Sequence, residues 1–248
     1  MGPKHLRGVV TERRDITDEL WIVRVRPDER IAFLPGQYVT IGLAAEDRLI
    51  ERPYSVASSP DDCELEFFLE VVRGGKLSPH LYEVPPGGEV YIRPLAKGRF
   101  SLERQPGRPN HFLVATVTGV APFVSMVRWL ARQEAVGGAE PLRIAILQAA
   151  SGAAEFGYRE ELAGYADALG WLEYVPTISR PWLDPGWQGE RGRAEDVARK
   201  YLDAWQFTPS SSTVYLCGNP HMIGNMEGVL ERAGFPKASV KKENYWPA

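Results

Sequence analysis

Cysteine is nearly absent. Cys63 and Cys217 are the only two in 248 residues and lie far apart in the chain. They form no metal-ligand spacing, and they cannot supply the four thiolates that an iron–sulfur cluster usually takes. The four histidines are scattered, with no metalloprotease pair, and no nucleophile elbow is present, so no metal site is expected. Excess positive charge is also missing: the formal net charge is −3 and neither half is net basic, which argues against nucleic acid or acidic lipid as a partner. No apolar run approaches the roughly 18 residues a membrane span needs. The opening stretch, MGPKHLRGVVTERRD, has no hydrophobic core of a signal peptide. These absences lead to the expectation of a cytoplasmic, reduced, monomeric protein.

What is present is ordinary globular material, 44% hydrophobic and 25% charged, at a length that suits two domains. The first hundred residues read as strands and turns. Trp21–Arg26 alternates as a half-buried strand does. Pro35-Gly36 punctuates before Gln37–Ile41, Gly74-Gly75 closes the run Leu65–Val72, and Pro85–Gly88 feeds Glu89–Ile92. Short strands at this spacing suggest an antiparallel barrel or sandwich.

Beyond about Gly107 the texture changes to alternating strand and helix. His111–Ala115, Leu142–Gln148, Trp171–Thr177 and Thr213–Cys217 read as strands. Pro122 opens a helix with Phe123, Met126, Val127, Leu130 and Ala131 on one face. Pro220 opens another, with Met222, Met226, Val229, Leu230 and Ala233 in register. Such alternation implies a parallel sheet wound by right-handed crossovers. The Gln105–Pro109 stretch is the expected boundary, giving domains 1–104 and 105–248.

In a parallel sheet, ligands bind beyond the carboxyl ends of the strands. Two loops there join a strand directly to a helix start: Thr116-Val117-Thr118-Gly119-Val120-Ala121-Pro122 and Cys217-Gly218-Asn219-Pro220. Small residues let a diphosphate or ring approach the backbone, and a helix start favours negative charge. An ordinary tight connection is the alternative for the first loop, and a buried small hydrophobe is the alternative for Cys217. Arg52-Pro53-Tyr54-Ser55 poses a different question. Pro53 suits an edge or bend, while an extended chain puts Arg52 and Tyr54 on one face and Ser55 on the other. A surface strand with a stray arginine is the alternative. Gly74-Gly75-Lys76-Leu77-Ser78 has the wrong spacing for a Walker loop.

Taken in order, Arg52–Ser55, Gly75–Ser78, Thr116–Pro122, Cys217–Pro220 and Glu243-Asn244-Tyr245-Trp246 resemble the ferredoxin–NADP reductase family, most closely its bacterial members, over essentially the whole chain. The resemblance implies a Greek-key antiparallel β-barrel binding FAD over 1–104. It implies an α/β doubly wound parallel-sheet domain binding NADP(H) over 105–248, whose tail 243–248 returns to the flavin. It also implies hydride transfer between NADPH and FAD, and single-electron exchange with ferredoxin or flavodoxin. Arg52 would hold the FAD pyrophosphate, Tyr54 would pack on the isoalloxazine, and Ser55 would lie near the hydride-accepting atom. Pro53, Phe68, Leu69, Val71, Lys76, Leu77, Ser78 and Thr118 complete the expected FAD set. Tyr245 and Trp246 would cover the flavin and adenine. For NADP(H) the expected residues are Thr118, Gly119, Ser179, Arg180, Arg191, Arg193, Cys217, Gly218 and Asn219. Ser55, Cys217 and Glu243 are the expected catalytic groups.

Three departures stand out. Val117 occupies a position where many relatives have glycine, Ser151 stands where some carry an arginine for the 2′-phosphate, and Pro247-Ala248 extends past the terminal tryptophan. Two other readings stay open: the reductase component of an oxygenase, and a flavin- or nucleotide-binding module that regulates without turnover.

Overall fold

The computed structural model describes residues 4–45, 48–103, 105–135 and 142–245. The described residues divide into two compact units, one formed by those up to Leu102 together with Ala121–Gln133, the other by those of Glu103–Val120 and those from Glu134 onward.

The first unit holds strands β1 (Leu6–Asp15), β2 (Leu20–Pro27), β3 (Tyr38–Ala45), β4 (Arg48–Ser55) and β5 (Leu65–Glu70), a short helix α1 (Ser78–Tyr82), and strand β6 (Glu89–Ile92). Every ladder is antiparallel, in the order β4-β3-β6-β1-β2-β5. The two edge strands meet just past β4, where the Ala57 N–H donates to the Glu66 carbonyl at 2.8 Å, closing the sheet into a barrel. Pro53 sits on edge strand β4, where a missing N–H leaves no ladder bond unmade. Trp21, Val23, Val25, Val39, Ile41, Phe67, Val90 and Ile92 fill the interior. The half-buried alternation expected for Trp21–Arg26 holds from Val23 onward, but Leu20 to Val23 are all buried. Ile22 is buried on the opposite side of the strand and pairs with Phe68 of β5.

Most of helix α2 (Ala121–Ala135) belongs to this same unit, although it follows a strand of the other. Its Ser125 hydroxyl donates to the Ser58 carbonyl at 2.7 Å, and Arg128 donates to the Ala57 carbonyl at 3.1 Å and to Glu66 at 2.8 Å. Glu66 is only 3% exposed, and Arg24 reaches it from β2 at 2.7 Å. This buried cluster clamps the segment that leaves β4 directly after Ser55.

The second unit is a parallel sheet of β7 (Asn110–Thr116), β8 (Arg143–Ala150), β9 (Leu172–Ile178), β10 (Glu190–Arg191), β11 (Ser212–Gly218) and β12 (Val240–Asn244), in the order β10-β9-β8-β7-β11-β12. Helices α3 (Arg159–Ala168), α4 (Ala194–Ala204) and α5 (Pro220–Arg232) connect the strands. From α4 and α5, Val197, Leu202, Met222, Ile223, Met226 and Leu230 pack with Phe112, Val114, Leu147 and Leu216 of the sheet. The strand order reverses between β7 and β11, and in such sheets that switch point is where ligands bind. Among the described residues no helix is long and apolar enough to cross a membrane.

Candidate functional sites in the two units

In the barrel unit the expected flavin residues line the closing seam. Arg52, Pro53, Tyr54 and Ser55 end β4, while Phe68 and Leu69 stand on β5, the strand that meets it. Ser55 is 7% exposed, whereas Pro53, on the same face of the strand two residues earlier, is exposed, so burial deepens toward the end of β4. Arg52 anchors through a bond to the Glu51 carbonyl at 2.8 Å. Burial pushes the Tyr54 phenol up to about 12 against the opposing charge of Arg52, so the ring is neutral and its apolar face usable. Val71 follows β5, and the turn through Gly74 delivers an exposed Lys76 to the start of α1. The Ser78 hydroxyl is committed, accepting the Val72 N–H at 2.9 Å. Leu69 and Leu77 stand in the expected binding segments with their side chains turned inward. Both are packed into the barrel core, which leaves only their backbone groups for binding.

Next to Arg52, Glu51 takes Arg93 at 2.6 Å and His5 at 3.0 Å. The Arg93 bond comes first among the causes that hold the Glu51 carboxyl down at about 2. Sequence reading missed this trio, because residues 5, 51 and 93 meet only through the strand order β4-β3-β6-β1.

In the sheet unit the two expected loops touch. The Thr116 hydroxyl accepts the Asn219 N–H at 2.8 Å. A Cβ on Gly119 would stand 2.5 Å from the Cys217 carbonyl oxygen, and one on Gly218 (φ +117°) would stand 2.3 Å from Thr116 Oγ1. Only glycine lets these backbones pass so closely. Glu243 is the β12 register partner of Cys217, and the Tyr245 N–H donates to the Gly218 carbonyl at 2.9 Å. Thr118, Gly119, Cys217, Gly218, Asn219, Glu243 and Tyr245 thus gather at one end of the sheet. Burial raises the Cys217 thiol well above its ordinary value, with the Glu243 charge adding to it and a bond with Tyr245 opposing. The group is therefore a neutral thiol at pH 7, a shape and a weak donor and not a nucleophile. Trp246, like Pro247-Ala248, lies outside the described residues.

The turn after β7 carries strain. Val117 has φ +43°, a left-handed conformation that costs a β-branched residue roughly 1–3 kcal/mol. Its carbonyl accepts Gln148 Nε2 at 3.4 Å, and Gln148 Oε1 accepts the Tyr174 hydroxyl at 2.7 Å. Gln148 is fully buried. It is a single amide within the apolar run Ile144–Ala150 of β8, a signal the sequence carries.

A second group forms at the ends of β9 and β10. The Ser179 N–H donates to the Ala150 carbonyl at 2.9 Å, and the Arg180 N–H to the Ser151 carbonyl at 3.0 Å. Arg180, Arg191 and Arg193 are all exposed. Arg191 also donates to the Trp187 carbonyl at 2.9 Å, and Arg193 precedes α4, its N–H bonded to Asp196 at 3.2 Å. The connections after β8 and β9 carry acid: Glu155 accepts the Ser151 N–H at 2.9 Å, and Asp184 accepts the Ala153 N–H at 3.1 Å. Among the described residues no cluster could hold a metal ion.

Residues 8–101 match the oxidoreductase FAD-binding domain and residues 113–227 the oxidoreductase NAD-binding domain. A flavodoxin/ferredoxin–NADP reductase of Rhodobacter capsulatus is 34% identical over 235 residues, 91% of this chain and 85% of that protein. The chain belongs to the flavodoxin/ferredoxin–NADP reductase family. The corresponding reductase of Escherichia coli is 29% identical over 225 residues, 87% of this chain and 86% of its own length. A ferredoxin NADP+ reductase from Neisseria gonorrhoeae, solved with bound FAD and NADP, shares the fold with a TM-score of 0.87 at 21% identity, covering 99% of this chain and 100% of that one. As a family member the chain is an FAD-dependent oxidoreductase that uses NADP(H). Its own residues fit those groups: Arg52 and Lys76 offer cations for a diphosphate, and three exposed arginines sit at the carboxyl ends of sheet strands.

Proposed function

We propose that the protein moves reducing equivalents between NADPH and a soluble ferredoxin or flavodoxin, working as a cytoplasmic monomer. FAD, when bound, would supply the redox chemistry, storing the two electrons of a hydride from NADPH and passing them on one at a time with the proton released to solvent; the protein supplies binding, orientation and electrostatics. In this reading Arg52 and Lys76 hold the FAD diphosphate and the neutral Tyr54 ring packs on the isoalloxazine. The clamp of Ser125 and Arg128 on Ala57 and Ser58 fixes where Ser55 stands. Cys217, with its neutral thiol, and Glu243 face the nicotinamide, and Gly119 and Gly218 allow the coenzyme close to the backbone. Arg180, Arg191 and Arg193 take the 2′-phosphate. The observation that carries the reading is the gathering of Thr118, Gly119, Cys217, Gly218 and Glu243 at the point where the sheet order reverses. Both cysteines are free, in keeping with a reducing compartment.

The test is to add NADPH to the yellow protein without oxygen, then offer ferredoxin, flavodoxin, cytochrome and an oxygenase component as acceptors in parallel. Bleaching of the flavin followed by transfer to ferredoxin or flavodoxin supports the reading. A flavin that stays oxidised points to a regulatory module. Transfer only to an oxygenase partner makes the protein that system's reductase component.

A further inference from the structure

Of the described residues, only Val117 and Gln206 are non-glycine with positive φ, at +43° and +57°. Gln206 follows the end of α4, where a left-handed residue commonly finishes a helix. Val117 has no such explanation. Its two Cβ branches are the reason valine avoids this region, and it stands at the start of the turn that carries Thr118 and Gly119. Something must hold it there.

Two contacts do. The Val117 side chain packs against the apolar cluster of Ala150, Phe156, Ile178 and Trp187. Its carbonyl is met by the amide of Gln148, which is itself gripped by the Tyr174 hydroxyl at 2.7 Å. Gln148 stands on β8 and Tyr174 on β9, the next strand, so the chain Tyr174–Gln148–Val117 runs from the sheet to the switch point. Burial drives the Tyr174 phenol upward, so it remains a hydroxyl donor across the working pH range. A buried amide on a sheet strand is costly without partners, and this one spends its carbonyl on Tyr174 and its N–H on the turn.

We propose that Gln148 and Tyr174 are positioning residues for the coenzyme: they hold the Val117 turn in its left-handed form, and that form seats Gly119 on Cys217 where the nicotinamide end of NADP(H) is read. The proposal rests on the coenzyme reading above. Neither residue touches the reacting atoms. If the turn relaxed to negative φ, Thr118 and Gly119 would leave the Cys217–Gly218 backbone, and the coenzyme site would lose its shape while the sheet stayed folded.

A double-mutant cycle tests this, because glycine adopts positive φ without cost and needs no holding. Gln148→Leu and Tyr174→Phe are made in the wild-type and Val117→Gly backgrounds. Two quantities are read: the dissociation constant for NADP+, titrated by the flavin difference spectrum, and the thermal midpoint. In the wild-type background either change is expected to weaken NADP+ about fivefold, and in the Val117→Gly background less than about twofold, a coupling typical of residues in one network. The midpoint should show coupling of the same sign. Tyr174→Phe removes a single oxygen, so it reports even if Gln148→Leu folds poorly. Equal losses in both backgrounds, in binding and midpoint alike, would make Gln148 and Tyr174 ordinary packing residues and overturn the proposal. If wild type fails to bind NADP+, the coenzyme reading falls, and the midpoint cycle still decides whether the pair holds the turn.

Discussion

Gly119 and Cys217 approach so closely that a methyl group on the first would lie 2.5 Å from the carbonyl oxygen of the second and 2.9 Å from the Gly218 Cα. All of these neighbours are backbone, so none can swing aside. Gly119→Ala must therefore displace the turn that follows β7. A displacement near 1 Å at a reacting centre costs on the order of 10²-fold in rate, and that is the expected loss in kcat/KM for NADPH. FAD content and the visible spectrum should stay as in wild type, since Arg52, Tyr54 and Lys76 belong to the other unit. Parallel loss of FAD would show that the turn also holds the flavin.

The Glu66 cluster makes a stability prediction. Glu66 is 3% exposed and bonds Arg128 at 2.8 Å and Arg24 at 2.7 Å. Glu66→Gln keeps the shape but removes the carboxylate charge beside Arg128, whose side chain is 13% exposed. Breaking a buried pair costs roughly 3–5 kcal/mol. Arg24 has a side chain 46% exposed and can turn to water, so the expected loss is about 3 kcal/mol, the lower end of that range. The check is the denaturant midpoint with its slope unchanged. A loss below about 1 kcal/mol would place the cluster with exposed ion pairs.

The Glu51 trio predicts the acid limb of stability. Arg93 and His5 hold the Glu51 carboxyl at about 2, below its usual 4.5. A carboxylate depressed in the folded state adds stability that is fully present above pH 4.5 and disappears as pH falls toward 2. Glu51→Gln should thus be less stable than wild type at pH 7, with the two curves converging between those values. Thermal midpoints from pH 7 down to 2.5 follow it. Curves that stay parallel would remove Glu51 as a source of acid sensitivity.

Where local pattern decided structure, the sequence was readable. The alternation of Val23 to Arg26 gave a strand, and the spacing of Met222, Met226 and Leu230 gave a buried helix face. The two switch-point loops were legible because a strand ran straight into a helix start in each. What escaped were pairings that only the closed topology makes: Glu66 with Arg128, Glu51 with His5 and Arg93, and barrel closure at Ala57. Val117 was hidden for another reason. Its local preference is extended backbone, and tertiary contacts override it. Leu69 and Leu77 lie in binding segments by resemblance, yet apolar side chains beside a barrel interior go inward.

Coenzyme choice is the last prediction. Arg180, Arg191 and Arg193 are exposed at the ends of β9 and β10, and the Arg180 N–H donates to the Ser151 carbonyl at 3.0 Å. A 2′-phosphate carries up to two negative charges, and each charged hydrogen bond contributes roughly 1.5–3 kcal/mol, with about 1.4 kcal/mol for every tenfold in affinity. Arg191 already gives one donor to the Trp187 carbonyl, which leaves Arg180 and Arg193 as the stronger candidates. Arg180→Ala and Arg193→Ala should each lower kcat/KM for NADPH by roughly tenfold to a hundredfold while NADH changes less than about twofold. Arg191→Ala should do less. Two features pull the native preference downward: Ser151 brings no cation, and Glu155 and Asp184 put carboxylates on the connections that follow β8 and β9. NADPH should therefore be preferred by about two decades, the low end for two arginine contacts. Glu155→Gln removes one of those charges and should raise NADPH efficiency by about twofold or more. Steady-state assays of all four variants with both coenzymes decide the matter. Equal loss with NADPH and NADH, or none, would mean these arginines do not read the phosphate.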